Sequence, residues 1–403
     1  MRARSTKRFI GVTRVATSFG YYLAVPLLGV IALRAGAMSA IEVGTLVSSH
    51  AVCRRGLALP IGVVCDRRGA ERVLVLGLAA EAAGYVLLAS SIGFPVWLLA
   101  LAIDGVGGAA YNSAARVVLA HASRDDGSRA RSFAGFYVAT QAGALVGPLA
   151  GAVISTNWSP RLLLMSSAVV YLGAAAVATL RFRVLDENPP VQRQGTVWAA
   201  FVEPLHDRYF VWHCLMTVPM WFGVSLFVSA VPLEAEYRGL RYLDVGLINS
   251  MNALVIVAIG HVMGRMTEGW GLSRRMVLLA GGSLTMATGC LLCLPTDTPW
   301  LYVGMLVVTL GELALIVAAE VVAFELAPDE AAGVYLGYMT MAWGLGAVLA
   351  GQLSGLLLNG SSTGRSWFWP AGAALLLAGA TGFVTIGRRH ARRTTALLAA
   401  SRL

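Results

Sequence analysis

Apolar stretches of about 20 residues follow one another along the whole chain, the length of helix needed to cross a hydrocarbon core. We place twelve, near residues 10–33, 41–64, 73–93, 96–120, 132–154, 161–181, 208–232, 243–264, 275–294, 300–324, 333–357 and 367–387. None shows the strict alternation that a lipid-facing barrel strand requires, so the spans are expected to be helices. Composition agrees: 57% of the 403 residues are hydrophobic and only 13% are charged, where soluble domains carry about 25% charged residues. The fold class expected is an all-α integral membrane protein with twelve transmembrane helices.

The formal net charge of +10 does not point to nucleic acid, because the basic residues gather at span ends. With the N-terminus placed inside, the inside segments hold 22 of them. The outside loops hold five, namely Arg34, Arg161, Arg238, Arg241 and Arg365. That asymmetry sets the orientation by the positive-inside rule, with both termini cytoplasmic. All but Lys7 of the 31 basic residues are arginine, which reads as the codon usage of a GC-rich bacterium. The opening MRARSTKRF leads into the first span without a small-residue cleavage site, so that span is expected to be uncleaved. Trp97, Trp158, Trp300, Trp367 and Trp369 fall where one interfacial belt should lie. Cys290 and Cys293 have redox spacing but no neighbouring ligands, and read as small core residues.

The longest polar connection, residues 181–210, lies at the midpoint and separates six spans from six. The expected organisation is an N-terminal bundle over 1–182, a cytoplasmic linker over 183–207 and a C-terminal bundle over 208–403. Within the connection, Thr196 to Leu205 suits a short amphipathic helix on the membrane surface. The halves repeat. A shift of 202 carries Gly62, Asp66, Gly69 and Arg72 onto Gly264, Glu268, Gly271 and Arg274, and a shift of 204 carries HASRDD (121–126) onto ELAPDE (325–330). Parallel repeats of this kind build transporters whose two bundles move about a central site.

The segment GVVCDRRGAER, residues 62–72, concentrates five ionisable side chains between two apolar runs. Gly62 permits close helix approach and Gly69 a tight turn. Asp66 can meet the positive N-terminus of span 11 near Ala332–Val334, and Arg72 can pair with Asp125 or Asp126. Such contacts would latch the cytoplasmic side. Gly62, Asp66, Arg67, Gly69 and Arg72 resemble the G-x-x-x-D-R-x-G-x-[RK] signature of the major facilitator superfamily, with the last basic position held later than usual. A second stretch, Gly143, Gly147, Pro148 and Gly151 in span 5, packs small residues at four-residue spacing. It resembles the antiporter motif of that superfamily, which implies export. As a whole the chain resembles 12-span drug:proton antiporters, among them multidrug exporters of the MdtH type, most clearly from Gly56 to Gly151. Two departures stand out: the arginine usual in span 4 falls at Leu101, and span 1 holds no acid, only Arg14.

Ionisable groups inside spans mark function by default. Glu312 lies near the centre of span 10 and Asp104 in the outer half of span 4; in this superfamily, spans 1, 4, 7 and 10 line the central cavity. Either acid is a candidate proton carrier. Glu81 in span 3 suits a structural pair with Arg54 or Arg55, and His50 in span 2 could exchange protons or simply tie helices together. Span 7 carries Thr217, Trp221 and Ser225 at four-residue spacing, and Tyr21, Tyr111 and Asn112 add polar aromatic character to spans 1 and 4. These are candidate cavity residues for amphipathic molecules. Arg14, Arg54, Arg55 and Arg116 would suit an anionic substrate, whereas Glu312 and Asp104 would suit a cation.

No Walker A stretch, metal-ligand spacing or nucleophile elbow occurs, so no cofactor, metal or catalytic residue is assigned. The sequence leads to a monomeric secondary transporter, not an enzyme, whose partners are a small-molecule substrate, protons and the lipid bilayer. The expected function is proton-coupled export of drug-like or antibiotic-like compounds across the bacterial cytoplasmic membrane. Proton-coupled transport of one metabolite, siderophore or peptide stays open, with an intramembrane enzyme a distant alternative.

Overall fold

The structure is a computed structural model that describes residues 2–36, 38–90, 93–123, 126–183, 197–328 and 332–400. It is all-helical among these residues. The helices are α1 (Arg2–Arg34), α2 (Ala40–Ala51), α3 (Ala58–Arg68), α4 (Ala70–Ser90), α5 (Phe94–His121), α6 (Asp126–Asn157) and α7 (Pro160–Arg183). After them come α8 (Val197–His206), α9 (Arg208–Tyr237), α10 (Tyr242–Met266), α11 (Leu272–Leu292), α12 (Thr298–Leu326), α13 (Ala332–Leu357) and α14 (Ser362–Ala400). Eleven of them are long and apolar enough to cross a membrane. The short α8 coincides with the surface helix expected in the linker.

The remaining span departs from expectation. Residues 41–64 read as one continuous helix, but α2 gives way to a π turn over Val52–Gly56 and restarts at Ala58. Leu57 leaves helical geometry (φ −88°, ψ 1°). Pro60 supplies the reason. It has no N–H, and inside a continuous helix its ring would clash with the carbonyl of Gly56. Restarting at Ala58 puts Pro60 in a first turn, where N–H groups have no intrahelical partner anyway.

The chain forms two compact units. Unit 1 comprises Met1–Gly195 with Phe227–Leu254 and Gly351–Asn359. Unit 2 comprises Thr196–Leu226, Val255–Ala350 and Gly360–Leu403. A division by sequence at residues 182 and 208 would assign every C-terminal span to one bundle. By packing, the C-terminal ends of α9 and α13 and the N-terminal half of α10 join the N-terminal spans.

Each unit interlocks a helix pair by the same device. In unit 1, a Cβ at Gly77 on α4 would lie 2.8 Å from the Gly107 carbonyl oxygen on α5, and one at Gly84 would lie 2.9 Å from that of Ala100. In unit 2, Gly289 on α11 faces the Gly304 carbonyl at 2.7 Å, and Gly282 faces that of Gly311 at 2.8 Å. Small residues let backbones touch where lipid offers no hydrophobic drive for helix association. Gly77 and Gly84 map onto Gly282 and Gly289 at nearly the offset that relates the loop motifs, so the repeat extends into the packing.

Of the expected tryptophan belt, Trp158, Trp300 and Trp367 are exposed, whereas Trp97 and Trp369 are fully buried and serve the core. Arg365, counted among the outside loops, is also buried. It donates to the carbonyls of Cys293 (2.8 Å), Leu294 (2.6 Å) and Pro295 (3.1 Å), which directly follow α11. Hydrogen bonds to a charged donor are worth about 1.5–3 kcal/mol each, and the orphaned carbonyls cost more once desolvated. Arg365→Ala is therefore expected to lower the thermal midpoint in detergent by several degrees, read by intrinsic fluorescence.

Candidate functional site

Four side chains inside the spans of unit 1 or on the broken span converge: His50, Arg54, Glu81 and Asp104. The π turn brings Arg54 inward between α4 and α5, where its Nη1 lies 3.0 Å from Glu81 Oε1 and 3.7 Å from Asp104 Oδ2. His50, one turn earlier on α2, places Nε2 2.8 Å from the same Asp104 oxygen. Tyr21 on α1 covers the cluster. Its ring lies 4.4 Å from the Arg54 guanidinium and stacks on His50 at 6.1 Å. Gly108 on α5 makes the room, since any Cβ there would collide with the guanidinium of Arg54. Glu81 and Asp104 are fully buried, and Arg54 and His50 nearly so. Glu81 Oε2 and Asp104 Oδ1 have no hydrogen-bond partner among the described residues. An apolar cavity lined by Val25, Leu46, Trp97, Leu101 and Val228 reaches the cluster at His50, its ionisable wall.

The charges of this cluster do not balance without a proton. One arginine faces two carboxylates, so with a neutral imidazole the sum is −1. A single proton, shared by His50 and Asp104 across their short contact, brings the sum to zero. Uncompensated charge in a dry interior is costly, and these four side chains taken by themselves are neutral only with one proton, while Arg55 adds positive charge toward His50 and Arg14 toward Glu81.

The outer ends within unit 1 form a second feature that the sequence did not announce. Any Cβ on Gly44 of α2 would meet the Gly351 carbonyl of α13, and the Gly355 Cα would lie 3.0 Å from it. Gly246 on α10 meets the Pro148 carbonyl on α6 at 2.7 Å, and Gly29 on α1 meets Pro232 on α9 at 2.7 Å. Arg34 adds an ion pair to Glu236 at 2.6 Å and donates to the Leu240 carbonyl at 2.6 Å. Gly143 and Gly147 of the span-5 motif lie against the backbone of α1 at Ser18–Phe19 and Tyr22–Leu23, and Gly151 meets the Leu23 carbonyl. Pro148 points to the other side, toward α10. The motif thus clamps α6 to α1 while its proline meets a C-terminal span.

The motif at 62–72 is placed only in part. Gly69 adopts φ +88° as the turn requires, but a Cβ at Gly62 would meet nothing within 4 Å, so no close helix approach depends on it. The side chains of Asp66 and Asp126, all of Asp125, and the side chain of Ala332 lie outside the described residues, as does the latch expected between them. Arg67 and Arg72 are exposed, without an ion pair among the described residues. The second half is built differently. The left-handed turn belongs to Gly269 (φ +72°) rather than Gly271, which caps α11 in extended geometry (φ −75°). The ion pair belongs to Arg275, which reaches Glu325 at 3.4 Å, while Arg274 and Glu268 are exposed. A Cβ at Gly264 meets nothing.

The remaining candidates divide. Glu312 is buried on α12 in unit 2 and so belongs to a different unit from the cluster. Thr217 and Tyr111 are fully buried. Trp221 stacks on Trp343 at 4.3 Å, and Ser225 donates to the Trp221 carbonyl, both inside unit 2. Asn112 accepts a hydrogen bond from Arg14 at 2.8 Å. His213, which the sequence reading passed over, is fully buried with Nε2 2.9 Å from the Ala319 carbonyl on α12. No group of three or more His, Cys, Asp or Glu that could hold a metal occurs among the described residues.

The family model described as Major Facilitator Superfamily matches residues 10–351 and 214–400. The chain is 23% identical over 400 residues to the multidrug resistance protein MdtH of Yersinia enterocolitica, covering 96% of this chain and 94% of that protein. It is likewise 23% identical over 396 residues to MdtH of Yersinia pestis strain Pestoides F, with the same coverage. Among solved structures, the peptide-transporter-family protein PepTSo superposes with a TM-score of 0.75 at 11% identity, covering 96% of this chain and 98% of that one. The nucleoside transporter NupG gives 0.73 at 12% identity, covering 94% and 98%.

Proposed function

Because the chain belongs to the Major Facilitator Superfamily, and is thus a multi-pass membrane transporter of small molecules and not an enzyme, we propose that it exports small amphipathic compounds by proton antiport, with the His50–Asp104–Arg54–Glu81 cluster carrying the proton. The observation that carries the reading is the odd charge of an enclosed cluster, neutral only with one proton aboard. The distant relationship to MdtH multidrug resistance proteins supports efflux of drug-like molecules, and the small-residue motif around Pro148 supports export.

In this reading a six-span N-terminal bundle (1–182) and a C-terminal bundle (208–403), joined by the 183–207 linker, alternate access around a midplane site. The protein works as a monomer in the bacterial cytoplasmic membrane with both termini inside. Cytoplasmic contacts of the Asp66 motif and its repeat at Glu268 favour one state, and the outer glycine contacts favour the other. Substrate and proton compete by occupying alternate states.

The test is substrate-triggered proton movement in proteoliposomes under an imposed pH gradient, beside a drug-susceptibility screen of an overexpressing strain. Antiport requires that an inward proton gradient drive outward substrate. Transport indifferent to the gradient would remove the reading. Resistance to many unrelated compounds would mark multidrug efflux, and resistance to one would mark a dedicated exporter.

A further inference from the structure

The N-terminal spans hold more positive charge than the cluster uses. Away from the span ends they carry Arg14, Arg54, Arg55 and Arg116 against Glu81 and Asp104. Both carboxylates are taken up by Arg54 and His50. Arg14 is in a different situation. Its Nε donates to Thr140 Oγ1 on α6 at 2.7 Å and its Nη1 to Asn112 Oδ1 on α5 at 2.8 Å. Both acceptors are uncharged, and no carboxylate pairs with Arg14 among the described residues.

The acceptors are themselves held in place. The Asn112 amide nitrogen donates to the Gly108 carbonyl at 2.6 Å, which turns Oδ1 toward Arg14, and the Thr140 hydroxyl donates to the Phe136 carbonyl at 2.9 Å. The Phe136 ring lies 4.4 Å from the guanidinium carbon and the Tyr111 ring 6.0 Å away. Arg54 and Arg116 add like charge to the field at this point. The guanidinium is thus fixed along one flank and against an aromatic face. Nη2 and the second N–H of Nη1 make no hydrogen bond to the described protein. A simple tie between α1, α5 and α6 needs hydrogen bonds but no charge, and a neutral amide would supply it without placing a cation in a span. A half-buried, oriented, carboxylate-free guanidinium is what recognition of an anion needs, because its remaining fork matches the oxygens of a carboxylate or phosphate.

We infer that Arg14 is an anion-recognition residue on the transport path, and that the transported molecule carries a carboxylate, phosphate or phosphonate group for the open Nη edge and an apolar or aromatic body for Phe136. This rests on the transporter reading above and adds the charge of the substrate. Outward movement of an anion against inward movement of a proton makes transport electrogenic, so a negative interior drives it.

The test uses the full-length protein in proteoliposomes and four probes that share one ring system: 1-naphthoate, 1-naphthylphosphonate, 1-naphthamide and 1-naphthylmethylammonium. Probe flux and proton movement are followed together. The two anions are expected to be transported and the amide and ammonium not. Arg14→Gln should raise the apparent KM for the anions at least tenfold with a smaller change in maximal rate, and Arg14→Lys should recover part of the loss. The double variant Asn112→Ala/Thr140→Ala, which removes the ties but keeps the charge, should cost less than Arg14→Gln. Equal transport of the ammonium or amide, silence of both anions, or an equal loss in the double variant overturns the assignment. Proton movement in the same direction as the anion would overturn the export reading while leaving the role of Arg14 standing.

Discussion

Proteoliposomes that contain Asp104→Asn are expected to carry substrate down its own gradient yet fail to concentrate it against one when only a pH gradient is supplied. The charge count of the cluster gives the reason. In the native cluster, Arg54 faces Glu81 at 3.0 Å and Asp104 at 3.7 Å, and neutrality demands one proton near His50. With asparagine at position 104, Arg54 and Glu81 balance by themselves and no proton is required in any state. The consequence is large, because a tenfold concentration ratio is worth about 1.4 kcal/mol. A pH difference of about two units, with the membrane potential clamped at zero, lets a one-proton exchanger sustain a substrate ratio of about 100. The variant should sustain a ratio of about 1. Glu81→Gln removes the same unit of charge and should uncouple equally. His50→Gln leaves the carboxylate count at two, so coupling should persist through a carboxyl proton, at reduced rate. Wild-type accumulation by Asp104→Asn would show that the cluster merely ties α2, α4 and α5 together.

The members of this cluster were legible one at a time, and their meeting was not. Ionisable residues are rare enough inside spans that Asp104, Glu81 and His50 stand out in the sequence. Their contacts, however, bridge 54 and 27 positions along the chain and depend on which way Arg54 turns. That direction is set by the π turn over Val52–Gly56, and the clue to it lies four residues beyond, at Pro60. A proline close to the end of an apolar run reads as easily as a tolerated kink, so the break was not visible beforehand. The fold was easier to read, because twelve apolar runs and a half-chain repeat need no knowledge of side-chain direction. The repeat relates the two loop motifs in sequence, but the loop after α10 is built differently. Its left-handed turn sits at Gly269, which moves the arginine that pairs with Glu325 to position 275.

Leucine at Gly44 is expected to abolish transport while the protein remains folded, and the comparison that gives this force is with the ion pair nearby. Arg34 and Glu236 are 2.6 Å apart, but both are partly exposed. Pairs of that kind are worth about 0.2–1 kcal/mol, so Glu236→Gln should change transport by roughly fivefold at most. At Gly44 the closure is made by backbone against backbone, since any Cβ would meet the Gly351 carbonyl and come within 3.0 Å of the Gly355 Cα. Neither backbone can yield to a larger side chain by rotamer change, so the outer ends of α2 and α13 must part. Alternating access needs those ends to close in every cycle, and a variant that cannot close them cannot turn over. The check is counterflow in proteoliposomes together with labelling of a cysteine placed at Ser354, which is fully buried beside Ser229, by a membrane-impermeant maleimide. In Gly44→Leu the label should react and counterflow should vanish. Gly62→Ala serves as the control, because its Cβ meets nothing within 4 Å. If Gly44→Leu exchanges substrate at the native rate with Ser354→Cys still shielded, the glycine contact is not the outer gate, and closure has to be sought at Gly246–Pro148 or Gly29–Pro232 instead.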